Sequence, residues 1–185
     1  MPFAHNMPDL IHIVPGTTLA NRMVDLFTGD RGRSYEAKVM MSNLARLTDL
    51  AVREYQRIRV ILDGHVPGAD LLPALGCTTE IEACVFATSR ACRFGMELAA
   101  IGVVEGGRMP AHDDRVAVRD FRDAIEHAEA RIAKKMRKGR AIVSGQPNWA
   151  QPSFNGAVIG GHRLPWTQLA RAIEALHDAS MHPLA

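Results

Sequence analysis

Cysteine is scarce in this chain. Cys77, Cys84 and Cys92 are odd in number and form no CxxC pair, which argues against a disulfide framework and against a cysteine zinc site. Long apolar runs are absent too. No stretch approaches the roughly 20 apolar residues that a membrane helix needs, so no membrane partner is expected. The N-terminal MPFAHNMPDL has neither a basic start nor an apolar core. No signal peptide is therefore expected, and the expected compartment is the cytoplasm. Charge of one sign is missing: the formal balance is +2, too small to argue for nucleic acid by itself. Lysine is rare, with arginine making up 18 of the 22 basic residues, and arginine is the better phosphate binder. Gly102, Gly106 and Gly107 do not make a GxGxxG fingerprint, and no GxSxG or Cys–His signature occurs. No cofactor is implied. There is no internal repeat and no low-complexity tract.

What remains is an ordinary globular balance. The 185 residues, 47% apolar and 23% charged, suit a single domain over 1–185 with a buried core. Thr17 or Thr18 can cap a short helix to Phe27, closed by Gly29. From Ser34 to Leu62, the residues Ala37, Met41, Leu44, Leu47, Ala51, Tyr55, Ile58 and Leu62 recur every three or four positions. That spacing predicts one long strut with Arg53, Glu54 and Arg57 on its opposite side. Residues 63–77, rich in Gly and Pro, read as a connection. Thr78 or Thr79 would cap a third helix to about Ala100, with Ile81, Val85, Thr88, Cys92 and Met96 inward and Cys84 and Ala91 as small neighbours.

Residues 113–139 read as a fourth helix. Val118, Phe121, Ile125, Ala128 and Ile132 stack in one stripe. Asp113 and Asp114 sit at the start, Lys134, Lys135, Arg137 and Lys138 at the end, and Gly139 after it, as the helix dipole and caps prefer. Ala141 to Ser144 is a strand candidate. Gly160-Gly161 between short extended runs signals a two-residue hairpin. A last helix covers 166–179 with Leu169, Ala172, Ile173 and Leu176 inward. Trp149, Phe154 and Trp166 can pack the hairpin onto the helices. The fold class expected is mainly α: an up-and-down bundle of four to five helices, with a small C-terminal β-hairpin and a final helix appended over 140–185.

The chemistry-bearing stretch is RDAIEH, from Arg122 to His127. Asp123 and His127 are four apart, on one helix face opposite the apolar stripe. An Asp there can accept from imidazole Nδ1–H, fixing the tautomer. Arg122 lies off that direction, at the edge of the stripe, but its side chain is long. An Arg can grip a phosphate and stabilise charge growing in a transition state. A His can move a proton on or off a ribose 2′-OH or a leaving 5′-oxygen. The same residues also make ordinary surface pairs, Arg122–Glu126 and Asp123–His127. A basic run with Arg131, Lys134, Lys135 and Lys138 could hold RNA backbone, and a helix C-terminus explains it equally well.

FRDAIEHAEARI resembles the motif of the HEPN superfamily: an Arg, a polar Asn, Asp or His, a few residues, then a His, on a late helix of a bundle. Arg122, Asp123 and His127 match the three positions. Arg59 and His65 have the spacing but Val60 in the polar slot. The resemblance is sharp over a dozen residues and loose over 34–139, and it does not extend to 140–185. It implies a metal-independent endoribonuclease acting on RNA as a homodimer, in a toxin–antitoxin or antiviral system, with a cognate antitoxin as a further partner. In that reading Arg122 is the phosphate clamp, His127 the acid/base and Asp123 its orienting group. Some members keep the helices for dimerisation or binding only, so a non-catalytic interaction protein of a defence or regulatory system is the alternative.

Overall fold

A computed structural model describes residues 5–28, 33–64, 72–128 and 149–184. Helix α1 is Thr17–Thr28, α2 is Tyr35–Gly64 and α3 is Leu72–Ala100. A 3-10 turn, Gly106–Arg108, leads into α4, His112–Glu126. Strands β1 (Gln151–Ser153), β2 (Gly156–Ile159) and β3 (His162–Pro165) then precede α5, Trp166–Met181. The architecture is mainly helical, as expected.

All eight positions of the α2 stripe are buried. Ser34 caps the helix, its Oγ accepting from Ala37 N–H at 3.2 Å. Glu54 departs from expectation: it is buried, and its carboxylate accepts from Arg53 at 2.9 Å and Arg57 at 3.2 Å. In α3, Ile81, Val85, Thr88 and Cys92 face inward with Cys84 and Ala91, but Met96 is 41% exposed. The inward row there passes to Gly95 and Leu98. The helix begins at Leu72, earlier than the Thr78 cap predicted. Pro73 falls in the first turn, where its missing N–H costs nothing, and Thr78 Oγ1 instead donates to Ala150 C=O at 2.9 Å.

Two clusters of one core show how α2 and α3 lie. Tyr55, Ile58 and Leu62 share a cluster with Cys77, Ile81 and Cys84. Met41, Leu44 and Leu47 share the other with Ala91, Cys92 and Leu98. Early α2 thus meets late α3, and the helices are antiparallel. All three cysteines are free and buried, and burial pushes each thiol up to about 12; they are inert packing residues.

The hairpin is a three-stranded antiparallel meander in the order β1-β2-β3. Gly160 (φ 52°) and Gly161 (φ 91°) make the turn between β2 and β3, a conformation glycine adopts without strain. β1 was not expected, since residues 145–152 read as a turn-rich segment; Pro152 is tolerated on the sheet edge, opposite Ala157. Trp166 is fully buried and donates to Ser153 C=O at 3.1 Å, while Trp149 and Phe154 remain exposed.

Helix α4 buries Val118, Phe121 and Ala124, with Ile125 and Ala128 packed at the core's edge. The described helix ends at Glu126, with His127 as its C-cap. The single helix expected over 113–139 is thus interrupted by a turn at His127, and residues 129–139 and the strand candidate at 141–144 lie outside the described residues. The expected aspartate cap is also revised. Ala111 occupies the N-cap with no side-chain bond. Asp114 is buried instead, and accepts from Arg171 of α5 at 2.6 and 3.1 Å. This pair ties α4 to α5 beside the core contacts of Val118 and Phe121 with Leu169, Ala172 and Ile173.

A second polar contact sits at the α1–α2–α5 junction. Thr18 Oγ1 lies 3.0 Å from His177 Nδ1, and Asp49 of α2 accepts from Leu19 N–H at 2.8 Å. Burial lowers the His177 pKa below its ordinary 6.5, against an opposing pull from Asp49. The folded state therefore holds this imidazole neutral where the unfolded chain would protonate it.

Two outcomes are expected. Arg171→Ala strands a buried carboxylate and lowers unfolding free energy by about 1–3 kcal/mol, read as a drop in urea midpoint. The contribution of His177 is full above pH 6.5 and is lost as pH falls below it. Urea midpoints measured from pH 7.5 down to 5 should therefore fall, and His177→Gln should flatten that slope. An unchanged slope would contradict the assignment.

Candidate functional site

At about 100° per residue, α4 carries three rows. The core row holds Val118, Phe121 and Ile125. A second row holds Arg115, Arg119, Arg122 and Glu126, spaced four, three and four apart. The third holds Asp120, Asp123 and His127, turned about 100° from the second. The two solvent rows open on different hollows.

The Arg122 row faces α3. Two adjoining concavities lie there, of about 620 and 390 Å3. Arg122 borders both, half-buried. Its Nη1 donates to Ser89 Oγ of α3 at 3.3 Å. Its Nε and Nη2 donate to Asp123 Oδ1 at 3.1 and 2.5 Å, and Glu126 lies 3.7 Å from Nε. The guanidinium is thus aimed by a neighbouring carboxylate and a hydroxyl across the groove.

The His127 row faces the sheet. A hollow of about 420 Å3 is lined by Asp120, Asp123, Ala124, His127 and His162. His162 opens β3, which packs against α4. Ala157, Ile159 and Leu164 enter the same core cluster as Val118 and Phe121, and this fixes the sheet's position beside α4. Gly156 is needed within the sheet, for the close pairing of β2 with β3: a Cβ there would fall 2.2 Å from Leu164 C=O. His127 N–H donates to Asp123 C=O at 3.0 Å, closing the last turn, with φ −94° and ψ 0°. His127 therefore sits at the C-cap of α4, at the edge of this hollow.

Asp123 links the two sides. Its carboxylate holds Arg122, and it lines the hollow of His127. Arg122 and His127 themselves border separate hollows within one chain. The expected RNA-binding residues Arg131, Lys134, Lys135 and Lys138 lie outside the described residues. His112 borders the smaller α3–α4 concavity, and His65 lies outside the described residues.

Sequence reasoning missed His162 and Asp120. Asp120 was legible as a helical neighbour of Asp123. His162 was not, because only tertiary packing brings the hairpin turn to α4. Among the described residues, no group of three or more His, Cys, Asp or Glu side chains is placed to hold a metal ion, and no helix is long and apolar enough to cross a membrane. No family model, no curated protein and no solved structure matches this chain.

Proposed function

We propose that this protein is a metal-independent endoribonuclease of HEPN type, working as a homodimer in a toxin–antitoxin or antiviral system. The observation that carries the reading is the shared hollow of His127 and His162, with Asp123 in its wall holding Arg122. Cleavage at a ribose needs one group to take the 2′-OH proton and another to protonate the leaving oxygen. Two imidazoles in one hollow supply both. The 2′-oxygen attacks phosphorus, the P–O5′ bond breaks, and the 5′-oxygen leaves with a proton. The products are a 2′,3′-cyclic phosphate and a 5′-hydroxyl. Arg122 stabilises the negative charge that builds on the phosphoryl oxygens, and Asp123, expected from the motif to orient His127, has its carboxylate on the guanidinium and positions that group. A second copy laid over α4 would bring the partner's motif beside this one, which suits a site whose Arg and His border different hollows.

A non-catalytic interaction protein is the second reading. Its support is that Arg122 is already engaged by carboxylates of its own helix.

The test is a cleavage gel with mixed-sequence RNA. His127→Ala and Arg122→Ala are each expected to lower cleavage on the order of a hundred- to ten-thousand-fold, with circular dichroism melts unchanged. His162→Ala is expected to act in the same direction, and EDTA to have no effect. Cleavage by the His127→Ala protein at the parent rate would overturn the proposal, as would loss of activity on chelation. A parent protein that cuts no RNA would leave the interaction reading.

A further inference from the structure

The row of arginines on α4 has a counterpart on α3. Phe86, Arg90, Arg93 and Glu97 recur at spacings of four, three and four, and all border the larger concavity. Arg115, Arg119, Arg122 and Glu126 repeat the same spacing on α4. Late α3 borders early α4: Met96 shares a concavity with His112 and Arg115, and Ser89 bonds Arg122. The two rows therefore run antiparallel along one groove, each about 16 Å long. Five arginines line the two concavities against two carboxylates, Glu97 and Glu126, in a chain whose total balance is only +2. Arg119 and Arg122 are also paired with Asp120 and Asp123 on their own helix, which leaves Arg90, Arg93 and Arg115 as the further cations of the groove.

We infer that this α3–α4 groove is the binding track for a single-stranded RNA, with Arg90, Arg93 and Arg119 on its phosphates and Phe86 and Phe94 beneath its bases. Arg90 has no ion-pair partner among the described residues. Arg93 pairs with Glu97 at 3.0 Å and Arg119 with Asp120 at 3.0 Å. Both are exposed local pairs of the kind that contribute little, so a phosphate replaces them at small cost. Phe86 and Phe94 are half-buried side chains bordering the same concavity, and every base offers a face for stacking. Neighbouring packed helices lie about 8–10 Å apart, so the furrow between them admits one strand and not a duplex. A strand leaving the groove at Arg122 crosses Asp123 to reach the hollow of His127. The inference rests on the ribonuclease reading for the identity of its ligand, while its charge and stacking arguments concern binding alone.

The experiment uses the full chain carrying His127→Ala, so that RNA survives the titration. Fluorescence anisotropy follows a dye-labelled, mixed-sequence single-stranded RNA, with the same sequence as a duplex and a polyglutamate peptide as competitors. Adding Arg90→Gln, Arg93→Gln and Arg119→Gln together should weaken single-strand binding at least tenfold. The slope of log affinity against log salt should fall by about two, at roughly 0.7 per lost phosphate contact. All three residues are exposed, and an unchanged thermal melt confirms the fold. The duplex should compete poorly. Binding by the triple variant within twofold of its parent overturns the track while leaving the ribonuclease reading intact. So does a parent that binds polyglutamate but no RNA. Conversely, arginine-dependent RNA binding by a protein that cuts nothing sustains the track and removes the nuclease.

Discussion

The close approach of α2 and α3 is the constraint on which the rest depends. Both helices place small side chains along their contact: Thr48 and Ala51 on one, Cys84, Ala87, Thr88 and Ala91 on the other, all buried. The fit is near enough for Cys84 Sγ to donate to the Ala51 backbone carbonyl at 3.4 Å. Backbones held this near leave little room for sliding, because packed interiors respond to single methylene changes. Thr88 satisfies its own buried hydroxyl by donating to Cys84 C=O at 2.8 Å, whereas the buried Thr48 Oγ1 has no hydrogen-bond partner among the described residues. The outer face of α3 is thereby fixed in direction, and it becomes one wall of the arginine groove.

Helix α4 is the second wall, and its rotation is decided by opposed demands. Val118 and Phe121 draw one face into the core, while Asp114 is drawn to Arg171. With both satisfied, the remaining surface divides into a cationic row and a row carrying His127. Turning the helix about its axis would carry both rows away from their hollows together. The sheet supports the same orientation from the other side, since Leu164 and Ile159 occupy the core beside Phe121 and leave His162 at the rim. The candidate site is therefore a product of three packings rather than of its own hydrogen bonds.

The sequence was readable where a pattern is local and periodic. The α2 stripe, the glycine turn and the last helix all follow from spacing and propensity, and RDAIEH could be placed on a helix face from its numbers alone. It was unreadable where the cause is distant. Asp114 looks like a cap because caps are local; its partner is 57 positions away. Glu54 looks like a surface charge until Arg53 and Arg57 are seen to cover it. Pro73 and Pro152 read as breaks, yet each occupies a place that tolerates proline, the first turn of a helix and the edge of a sheet. The paired arginine rows lay open in the spacing of 86–97 and 115–126, but only antiparallel packing makes them one groove.

The central claim is that imidazole and guanidinium groups on and beside α4 cleave RNA through its own 2′-oxygen. The most direct measurement is the chemistry of the cut ends, by mass spectrometry of a short RNA and of the same oligomer with a single 2′-deoxy substitution at the cut site. The account predicts a 2′,3′-cyclic phosphate with a 5′-hydroxyl, and no cut at the substituted position. A 5′-phosphate end, or cleavage that ignores the missing hydroxyl, would contradict it.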